Sequence, residues 1–337
     1  MKNNNHFKWA ILLTLVAMIL TLVLAIMAFQ KYSSAGKKEE DAQIYDQYYV
    51  MIVNDYDSAF WRAVYENAYA EGLENNVYVD LLGSNFSKKY TRYELMEIAI
   101  YSGVDGIIVE ADDSITMKNL IVQAKEAGIP VVTLYSDNTN SMRISYVGVD
   151  NYEMGKEYGE QILALSKDKP KNVAVLMSSN SGESGQNIVW SGIQDTVMQG
   201  KKEDMAINLC ILSINESNEF SVEESIRDIF MTEDIPDIIV CLNEVNTTCV
   251  YQAVVDYNKV GQIDILGYYD SDTILKGVFR SVITASIAVD TEQMGKYCVE
   301  ALTEYYQLGN TNEYYVADIT VIDKYNVKSY MGGKDEN

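Results

Sequence analysis

Histidine is nearly absent from this sequence, because its one copy, His6, lies among the first residues. Sites that use imidazole, either to bind a metal or as the base beside a nucleophile, are therefore excluded from the main body of the chain. The four cysteines, Cys210, Cys241, Cys249 and Cys298, are not spaced as CxxC pairs. Such spacing favours buried single thiols over disulfides or a metal centre. We expect no metal site, no cofactor and no catalytic residue.

Basic residues and prolines are also scarce. The chain has 26 Lys and Arg against 49 Asp and Glu, a formal net charge of −23, and every acidic residue lies after residue 38. So acidic a surface repels phosphate backbones, which argues against a nucleic acid partner. With 3 prolines there is no Pro-rich linker. At 337 residues and 48% hydrophobic, the chain can bury a large core and form more than one lobe.

One long hydrophobic run stands near the start of the sequence. Residues 9–29 are apolar or small without interruption, a length of about 21 residues that can cross a hydrocarbon core of ~30 Å. Because Lys2 and Lys8 precede it, residues 1–8 are predicted to stay in the cytoplasm and the later residues to lie outside. The run predicts a single-pass anchor in the cell membrane, followed by a linker at 30–46. A cleaved signal peptide, with the small residues 33–35 as its site, is the alternative.

The stretch around residues 48–61 is a strand, a loop and the start of a helix. Residues 49–53 form an uncharged apolar run typical of a strand buried on both faces, and helical spacing resumes at Ser58. In an open parallel sheet, ligands bind beyond the carboxyl ends of the strands, so this loop is expected to face a cleft. Phe60 and Trp61 follow a cap at Asp57 or Ser58. The two aromatics are either core residues or a platform for a ligand.

Strand and helix patterns alternate along the rest of the chain. Strands are predicted at 77–82, 106–109, 130–134, 143–147, 172–177, 208–213, 237–241, 264–267, 281–288 and 314–322. Helices are predicted at 58–76, 89–102, 115–127, 152–166, 186–199, 222–231, 245–257 and 291–308. Such alternation indicates βαβ units with parallel sheets, and two such sets indicate two similar α/β lobes.

Four short motifs carry a resemblance to a known family. The sequence reads GVDGIIV at 103–109, AGIPVVTL at 127–134, VGVDN at 147–151 followed by MG at 154–155, and ILGY at 265–268. In this order and spacing, the region from about residue 48 to 323 resembles the periplasmic sugar-binding proteins of the ribose and galactose type. Their fold is shared by the effector domain of lactose-repressor-like regulators.

The resemblance implies an architecture and a mode of action. It implies two Rossmann-like lobes joined by three crossovers, near Asp150, Val289 and Asp318, with a ligand clamped between them by hinge closure. Lobe 1 would comprise residues 47–150 and 290–318, and lobe 2 residues 151–289 and 319–330.

The resemblance also implies a set of ligand-binding residues. Phe60 and Trp61 match the aromatic pair that stacks on the sugar, Asp57 matches a polar residue that bonds its hydroxyls, and Asn243 matches an asparagine of the second lobe. At the other positions the charged or polar residues of the family are replaced, by Tyr135, Ser136, Asn187, Tyr269 and Val289. Glu244 stands where the family has an Asp, and Asp137 or Asp270 could supply a carboxylate by a shift of position. Because each unpaired buried hydroxyl costs ~1–3 kcal/mol, this cleft is expected to bind a ligand smaller or less polar than a free hexose.

Two functions follow from the anchor and the cleft. In the first, the protein passes a sugar or sugar-like small molecule to the membrane permease of an ABC-type importer. In the second, it is the sensing subunit for a membrane partner such as a histidine kinase. An α/β hydrolase or transferase is not expected, because no nucleophile and base can be paired without histidine.

The hydrophobic run generates a prediction about topology. Protease added to intact cells should remove the domain beyond residue 35 and leave the first residues protected, because the run holds them on the inner side of the membrane. Immunoblotting of an N-terminal tag measures this. A mature protein whose first residue lies near Gly36 would instead show that the run is a cleaved signal.

Overall fold

The computed structural model describes residues 9, 16, 18–27 and 44–331, apart from 168–170, 180–183, 203–204 and 233. The chain divides into two compact units, Met1–Tyr45 and Asp46–Asn337. In the first unit, residues 18–27 are helical with exposed side chains. Among the described residues, no helix is long and apolar enough to cross a membrane. The predicted cytoplasmic segment 1–8 and most of the predicted linker at 30–46 lie outside the described residues, whereas residues 9, 16 and 18–27 of the predicted anchor are described.

The second unit alternates strands and helices along the chain. Its strands are β1 (Gln47–Ile52), β2 (Val77–Leu81), β3 (Gly106–Val109), β4 (Val131–Leu134), β5 (Ser145–Gly148), β6 (Lys171–Ser178), β7 (Ile207–Ile214), β8 (Ile238–Cys241), β9 (Asp264–Tyr268), β10 (Ala285–Val289), β11 (Tyr314–Val316) and β12 (Ile319–Asp323). Its helices are α1 (Ala59–Glu74), α2 (Arg92–Ser102), α3 (Ile115–Glu126), α4 (Asn151–Leu165), α5 (Ser184–Gly200), α6 (Glu219–Phe230), α7 (Glu244–Asp256), α8 (Asp272–Phe279) and α9 (Thr291–Leu308). A 3₁₀ turn at Val327–Ser329 follows β12.

The strands form two sheets with one shared order. The first sheet runs β11-β5-β4-β3-β1-β2, and the second runs β12-β10-β9-β8-β6-β7. Strand for strand, β6 to β10 therefore occupy in the second sheet the places that β1 to β5 occupy in the first. The pairs are parallel, except that β12 runs antiparallel to β10. The prediction of two α/β lobes with parallel sheets is confirmed.

Within the described part of the chain, the backbone passes between the sheets three times. It leaves the first sheet after β5, returns after β10 and leaves again between β11 and β12. The three passages are bonded to one another, since the amide of Ala317 donates to the carbonyl of Gly148 at 2.8 Å and the amide of Asp290 to the carbonyl of Asp318 at 2.9 Å. Gln293 adds reciprocal bonds of 2.9 Å with Asp318. The crossovers are therefore one hydrogen-bonded ribbon.

The central strand β1 is buried on both faces, because helices cover each side of the first sheet. Tyr49 and Met51 belong to the core cluster that holds residues of α1 and α9, whereas Val50 and Ile52 belong to a second cluster with residues of α2 and α3. An uncharged apolar run is the pattern that such a doubly covered strand requires.

Polar residues between strands and helices act as N-caps. A side-chain oxygen accepts a hydrogen bond from the first helical turn at Ser58, Thr91, Ser114, Asp150, Asn218, Asn243 and Asp290. Each such cap satisfies an otherwise unpaired backbone N–H and stabilises its helix by about 1 kcal/mol. The caps fix where the helices start beside the carboxyl ends of the strands.

The structure differs from the predicted elements at the C-terminal end. Helix α8 stands where no element was predicted, and the strand predicted at 281–288 begins only at Ala285, after Ser281 turns with a positive φ of 56°. The strand predicted at 314–322 is two strands in different sheets, because the third crossover interrupts it. The four cysteines are free thiols, but Cys210 is exposed, so the prediction that it is buried is wrong.

Helices α4 and α5 cross at glycines, which generates a stability prediction. A Cβ at Gly192 would meet the carbonyl oxygen of Tyr152 and lie 3.0 Å from the Cα of Gly155. The variant Gly192→Ala should therefore lose about 1–3 kcal/mol of unfolding free energy by overpacking, despite its better helix propensity. Chemical denaturation measures it. Ser191→Ala, at the exposed neighbouring position, should stay within about 0.5 kcal/mol of the parent, and an equal loss in both variants would contradict the packing argument.

Candidate functional site

Aromatic side chains from both lobes meet at the carboxyl ends of the sheets. Phe60 and Trp61 open α1 and Tyr135 follows β4 in the first lobe, whereas Tyr268 and Tyr269 end and follow β9 in the second. Phe60 lies at the centre, with ring centroids 4.9 Å from Trp61, 5.5 Å from Tyr135, 5.9 Å from Tyr268 and 5.2 Å from Tyr269. The rings pack mainly edge to face, the geometry that aromatic quadrupoles favour. We call these five residues the interlobe aromatic cluster.

Two tyrosines of the cluster stand at equivalent places in the two lobes. Tyr135 and Tyr269 directly follow β4 and β9, and both have positive φ angles, 64° and 75°. Each amide donates to the adjacent strand at 2.8 Å, to Val147 in one lobe and to Ile287 in the other. This conformation costs a residue with a side chain on the order of 1–3 kcal/mol, and such strain is concentrated at functional sites.

Hydrogen bonds between described residues also join the lobes at the cluster. The amide of Phe60 donates to a carboxylate oxygen of Glu244 at 3.2 Å, and the Tyr269 hydroxyl donates to the carbonyl of Ala59 at 3.3 Å. The Tyr135 hydroxyl donates to the carbonyl of Leu242 at 3.5 Å. All three bonds are long for their type, so each contributes little compared with the burial of the rings.

The second lobe places carboxyl groups beside the rings. Burial raises the pKa of Glu244, the hydrogen bond from Phe60 lowers it, and the charges of Asp55 and Asp270 raise it further. Burial likewise raises the pKa of Asp270, to which the charge of Asp290 adds. The site is therefore acidic as well as aromatic, and its carboxyl groups are harder to ionise than exposed ones.

The cluster fills the space between the lobes. Phe60 is 5% exposed, and Trp61 and Tyr269 are each 6% exposed, so these rings contact one another and the core rather than solvent. Two surface concavities of about 240 and 390 Å³ lie away from the cluster, the first beside Lys171 and Asn208 and the second beside Phe86 and Tyr90. A ligand between the lobes would therefore have to displace rings or separate the lobes.

Of the predicted site residues, the structure brings together the rings of Phe60, Trp61, Tyr135 and Tyr269. Asp270 follows Tyr269, and, after burial, its charge also raises the pKa of Glu244. Val289, at the second crossover, is buried in the same core. Neither interpretation of Phe60 and Trp61 is excluded, since both residues are buried and both lie between the lobes. Their role as a platform stays a prediction.

The remaining predicted residues have other contacts. Asp57 is exposed and pairs with Arg62 at 3.6 Å, and the cap of α1 is Ser58. Ser136 is half-buried, with its amide bonded to the carbonyl of Leu134 at 2.7 Å. Asn187 is exposed on α5, where its carbonyl accepts the Ser191 hydroxyl.

Asn243 is occupied at both ends of its amide group. Its oxygen accepts from the amide of Asn246 at 2.8 Å, and its nitrogen donates to Glu216 at 2.7 Å. Glu216 also accepts from the side chain of Asn246 at 2.8 Å. The amide nitrogen carries a second hydrogen and the oxygen a second lone pair, so Asn243 can contact a ligand without losing these bonds. That contact stays a prediction.

Sequence reasoning missed Tyr268 and Glu216 as neighbours of the site. Tyr268 is the last residue of a buried strand, where an aromatic is usually counted as core. Glu216 lies 27 positions before Asn243 in a loop without a motif, so nothing local connects the two residues. The doubled tyrosine at 268–269, beside the single Tyr135 of the other lobe, was the available signal.

A family model described as periplasmic binding protein domain matches residues 49–311. The chain belongs to this family. The resemblance inferred from the four motifs is therefore confirmed, and so is the prediction that the chain is a binding protein and not an enzyme. A search of curated proteins found no match.

Solved structures share the fold at low sequence identity. GanP, a glucose-galactose binding protein from Geobacillus stearothermophilus, is 21% identical with a TM-score of 0.74, covering 83% of this chain and 98% of its own. An ABC transporter solute-binding protein from Burkholderia graminis, in complex with D-arabinose, is 18% identical with a TM-score of 0.75, covering 85% and 98%. XylFII in a complex with LytSN is 22% identical with a TM-score of 0.71, covering 83% and 98%.

The raised pKa of Glu244 generates a prediction about pH. An acid whose pKa is raised by folding stabilises the fold below its unfolded pKa and loses that contribution as pH rises through its folded pKa. Glu244→Gln should therefore raise the melting temperature at neutral pH and leave it unchanged at pH values below the ordinary carboxyl pKa. Gln retains an oxygen for the Phe60 amide.

Melting curves of the parent and the variant across this pH range measure the effect. Asp256→Asn, which removes one charge from the exposed far end of the same helix, serves as the control. A difference at neutral pH no larger than that of the control would show that burial does not oppose ionisation of Glu244.

Proposed function

We propose that this protein is an extracytoplasmic solute-binding protein that clamps a sugar or sugar-like small molecule between its lobes and passes it to an ABC-type importer. The observation that carries the proposal is the interlobe aromatic cluster, in which rings from both sheets meet at the carboxyl ends of the strands. Ligands of open parallel sheets bind at that edge. The sugars named with GanP and with the Burkholderia graminis protein support a related ligand here.

The proposed ligand contacts are those the sequence predicts. They are Asp57, Phe60, Trp61, Tyr135, Ser136, Asn187, Asn243, Tyr269 and Asp270. The ligand takes the place of ring-to-ring contacts, so that Phe60 and Trp61 stack on it while the second lobe supplies polar groups. Asn243 joins them through the second hydrogen of its side-chain nitrogen.

Access to the cluster requires a hinge, which we place at the bonded crossovers. Lobe 1 then comprises residues 47–150 and 290–318, and lobe 2 residues 151–289 and 319–330. Backbone hydrogen bonds join the crossovers, whereas the interlobe bonds at the cluster measure 3.2–3.5 Å. The cluster edge is therefore expected to separate before the crossover edge does. A ligand shifts this equilibrium only by its preference for one arrangement over the other.

We further propose that residues 9–29 anchor the protein in the cell membrane with the binding domain outside. The support is the length of the apolar run and the exposure of the side chains at 18–27, which include Leu20, Leu22 and Leu24. Exposed apolar side chains in a continuous helical stretch are unfavourable in water and favourable in lipid.

A second function is a sensing subunit for a membrane partner such as a histidine kinase. The complex of XylFII with LytSN supports it, because a protein of this fold there assembles with a second protein. An anchored domain would also lie beside membrane proteins continuously. The neighbouring genes separate the two functions: a permease and an ATPase favour the importer, and a kinase with a response regulator favours the sensor.

The cleft generates a prediction about ligand binding. A ligand should change the fluorescence of Trp61, and Trp61→Ala should weaken binding by about 2 kcal/mol or more, roughly thirtyfold, as truncated aromatic anchors do. Fluorescence titration and calorimetry with a panel of pentoses, hexoses and their amino derivatives measure both effects.

Trp190, half-buried on α5, provides the matched control. Trp190→Phe should retain the affinity and most of the signal. Binding of a panel member with equal affinity in the parent and in a folded Trp61→Ala variant would place the ligand away from the cluster and contradict the proposed site.

A further inference from the structure

In the part of the chain that the structure describes, two carboxyl groups beside the interlobe aromatic cluster have no cationic partner. Glu244 and Asp270 are both half-buried. Among the described residues, no lysine or arginine nitrogen lies within 4.0 Å of either carboxylate. The basic residues of the neighbouring loops are engaged elsewhere, since Arg62 pairs with the exposed Asp57 and Lys89 lies over the ring of Tyr56.

This arrangement is unfavourable for the protein alone. Removing a carboxylate from water is costly unless a positive charge compensates it, and here the charges of Asp55 and Asp290 add repulsion. Some other carboxyl groups that lie away from solvent are compensated. Asp137, for example, accepts from Arg143 at 2.7 and 2.8 Å. Glu244 and Asp270 lack such a partner.

A third polar group in the cluster is also unsatisfied. The Tyr268 hydroxyl is buried, with the residue 1% exposed, and has no hydrogen-bond partner among the described residues. Its polar neighbour is Tyr135, whose proximity, after burial, raises the pKa of Tyr268. An unsatisfied buried hydroxyl costs about 1–3 kcal/mol, so it is expected to bind a polar atom of a ligand.

We infer that the ligand of this cleft carries a positive charge, as an organic ammonium ion such as an amino sugar or a quaternary amine. This inference rests on the proposed ligand-binding function and specifies its substrate class. It replaces the expectation from the sequence that the ligand is less polar than a free hexose. The faces of Phe60 and Trp61 attract a cation, and Glu244 and Asp270 supply the compensating charge. Aromatic rings combined with carboxylates bind ammonium groups more tightly than uncharged hydroxyls, because the attraction is strongest where water is excluded.

The test uses matched pairs of probes that differ in charge but little in shape. They are D-glucosamine with D-glucose, D-galactosamine with D-galactose, and choline with its uncharged carbon analogue dimethylbutanol. Binding to the full chain in detergent is measured at neutral pH by calorimetry and by Trp fluorescence. At least one cation should bind roughly tenfold or more tightly than its uncharged partner. The pair that responds distinguishes amino sugars from quaternary amines.

Three variants locate the charge recognition. Glu244→Gln and Asp270→Asn should each weaken binding of the responding cation about tenfold or more. Asp256→Asn, which makes the same charge change at the exposed end of α7, should leave it unchanged. Equal weakening in all three variants would indicate general attraction to an acidic surface and overturn the inference.

The two proposals fail in different ways. If an uncharged sugar binds as tightly as its amino counterpart, and Trp61→Ala weakens it while Glu244→Gln does not, the inference is overturned and the solute-binding function stands. If no cation binds at concentrations up to about 10 mM, any affinity for cations is too weak to be useful. The inference is then also overturned. If no probe of either charge binds and none shifts the Trp signal, the proposed sugar-like ligand fails with it.

Discussion

Aromatic rings pack across the gap between the two sheets and join the lobes at the carboxyl ends of the strands. Each aromatic side chain can bury ~150–250 Å², and at ~25 cal/mol per Å² the exposure of even one ring face costs on the order of 2 kcal/mol. The interlobe hydrogen bonds are long by comparison. The ring contact therefore opposes separation of the lobes at this edge. It also keeps water away from the carboxyl groups beside it.

This contact forms at the edge where both sheets present the carboxyl ends of their strands. The crossovers bond Gly148, Asp290 and Ala317–Asp318 into one ribbon, which holds the carboxyl ends of the two sets of strands opposite each other. The repeated strand order then places Tyr135 and Tyr269 at equivalent points, one on each side. Because the two lobes share one strand order, each has a tyrosine with a positive φ directly after the corresponding strand.

Most of the fold was predictable, because it depends on local patterns. The apolar run of β1, the alternation of strands with helices and the polar caps are all visible within about 15 residues of one another. Helix α8 was missed because its eight residues are too few to show a period. The split between β11 and β12 was missed because only Ala317 and Asp318 separate the two strands in the sequence. The filled cleft and the Glu216 bond to Asn243 depend on residues far apart in sequence, so local reasoning gives them no signal.

The short segment that contributes β11 and then β12 has a consequence for the order of synthesis. The first sheet lacks its edge strand until Tyr314–Val316 is made, and the second lacks its own until Ile319–Asp323 follows. Helix α9, which packs on α1 in the first lobe, also comes from this late part of the chain. Neither lobe can therefore be completed while the ribosome is still making the other, and both are completed almost together once residues 314–323 have been made. For a chain threaded unfolded through a translocation channel, this delay keeps the early segments from closing prematurely.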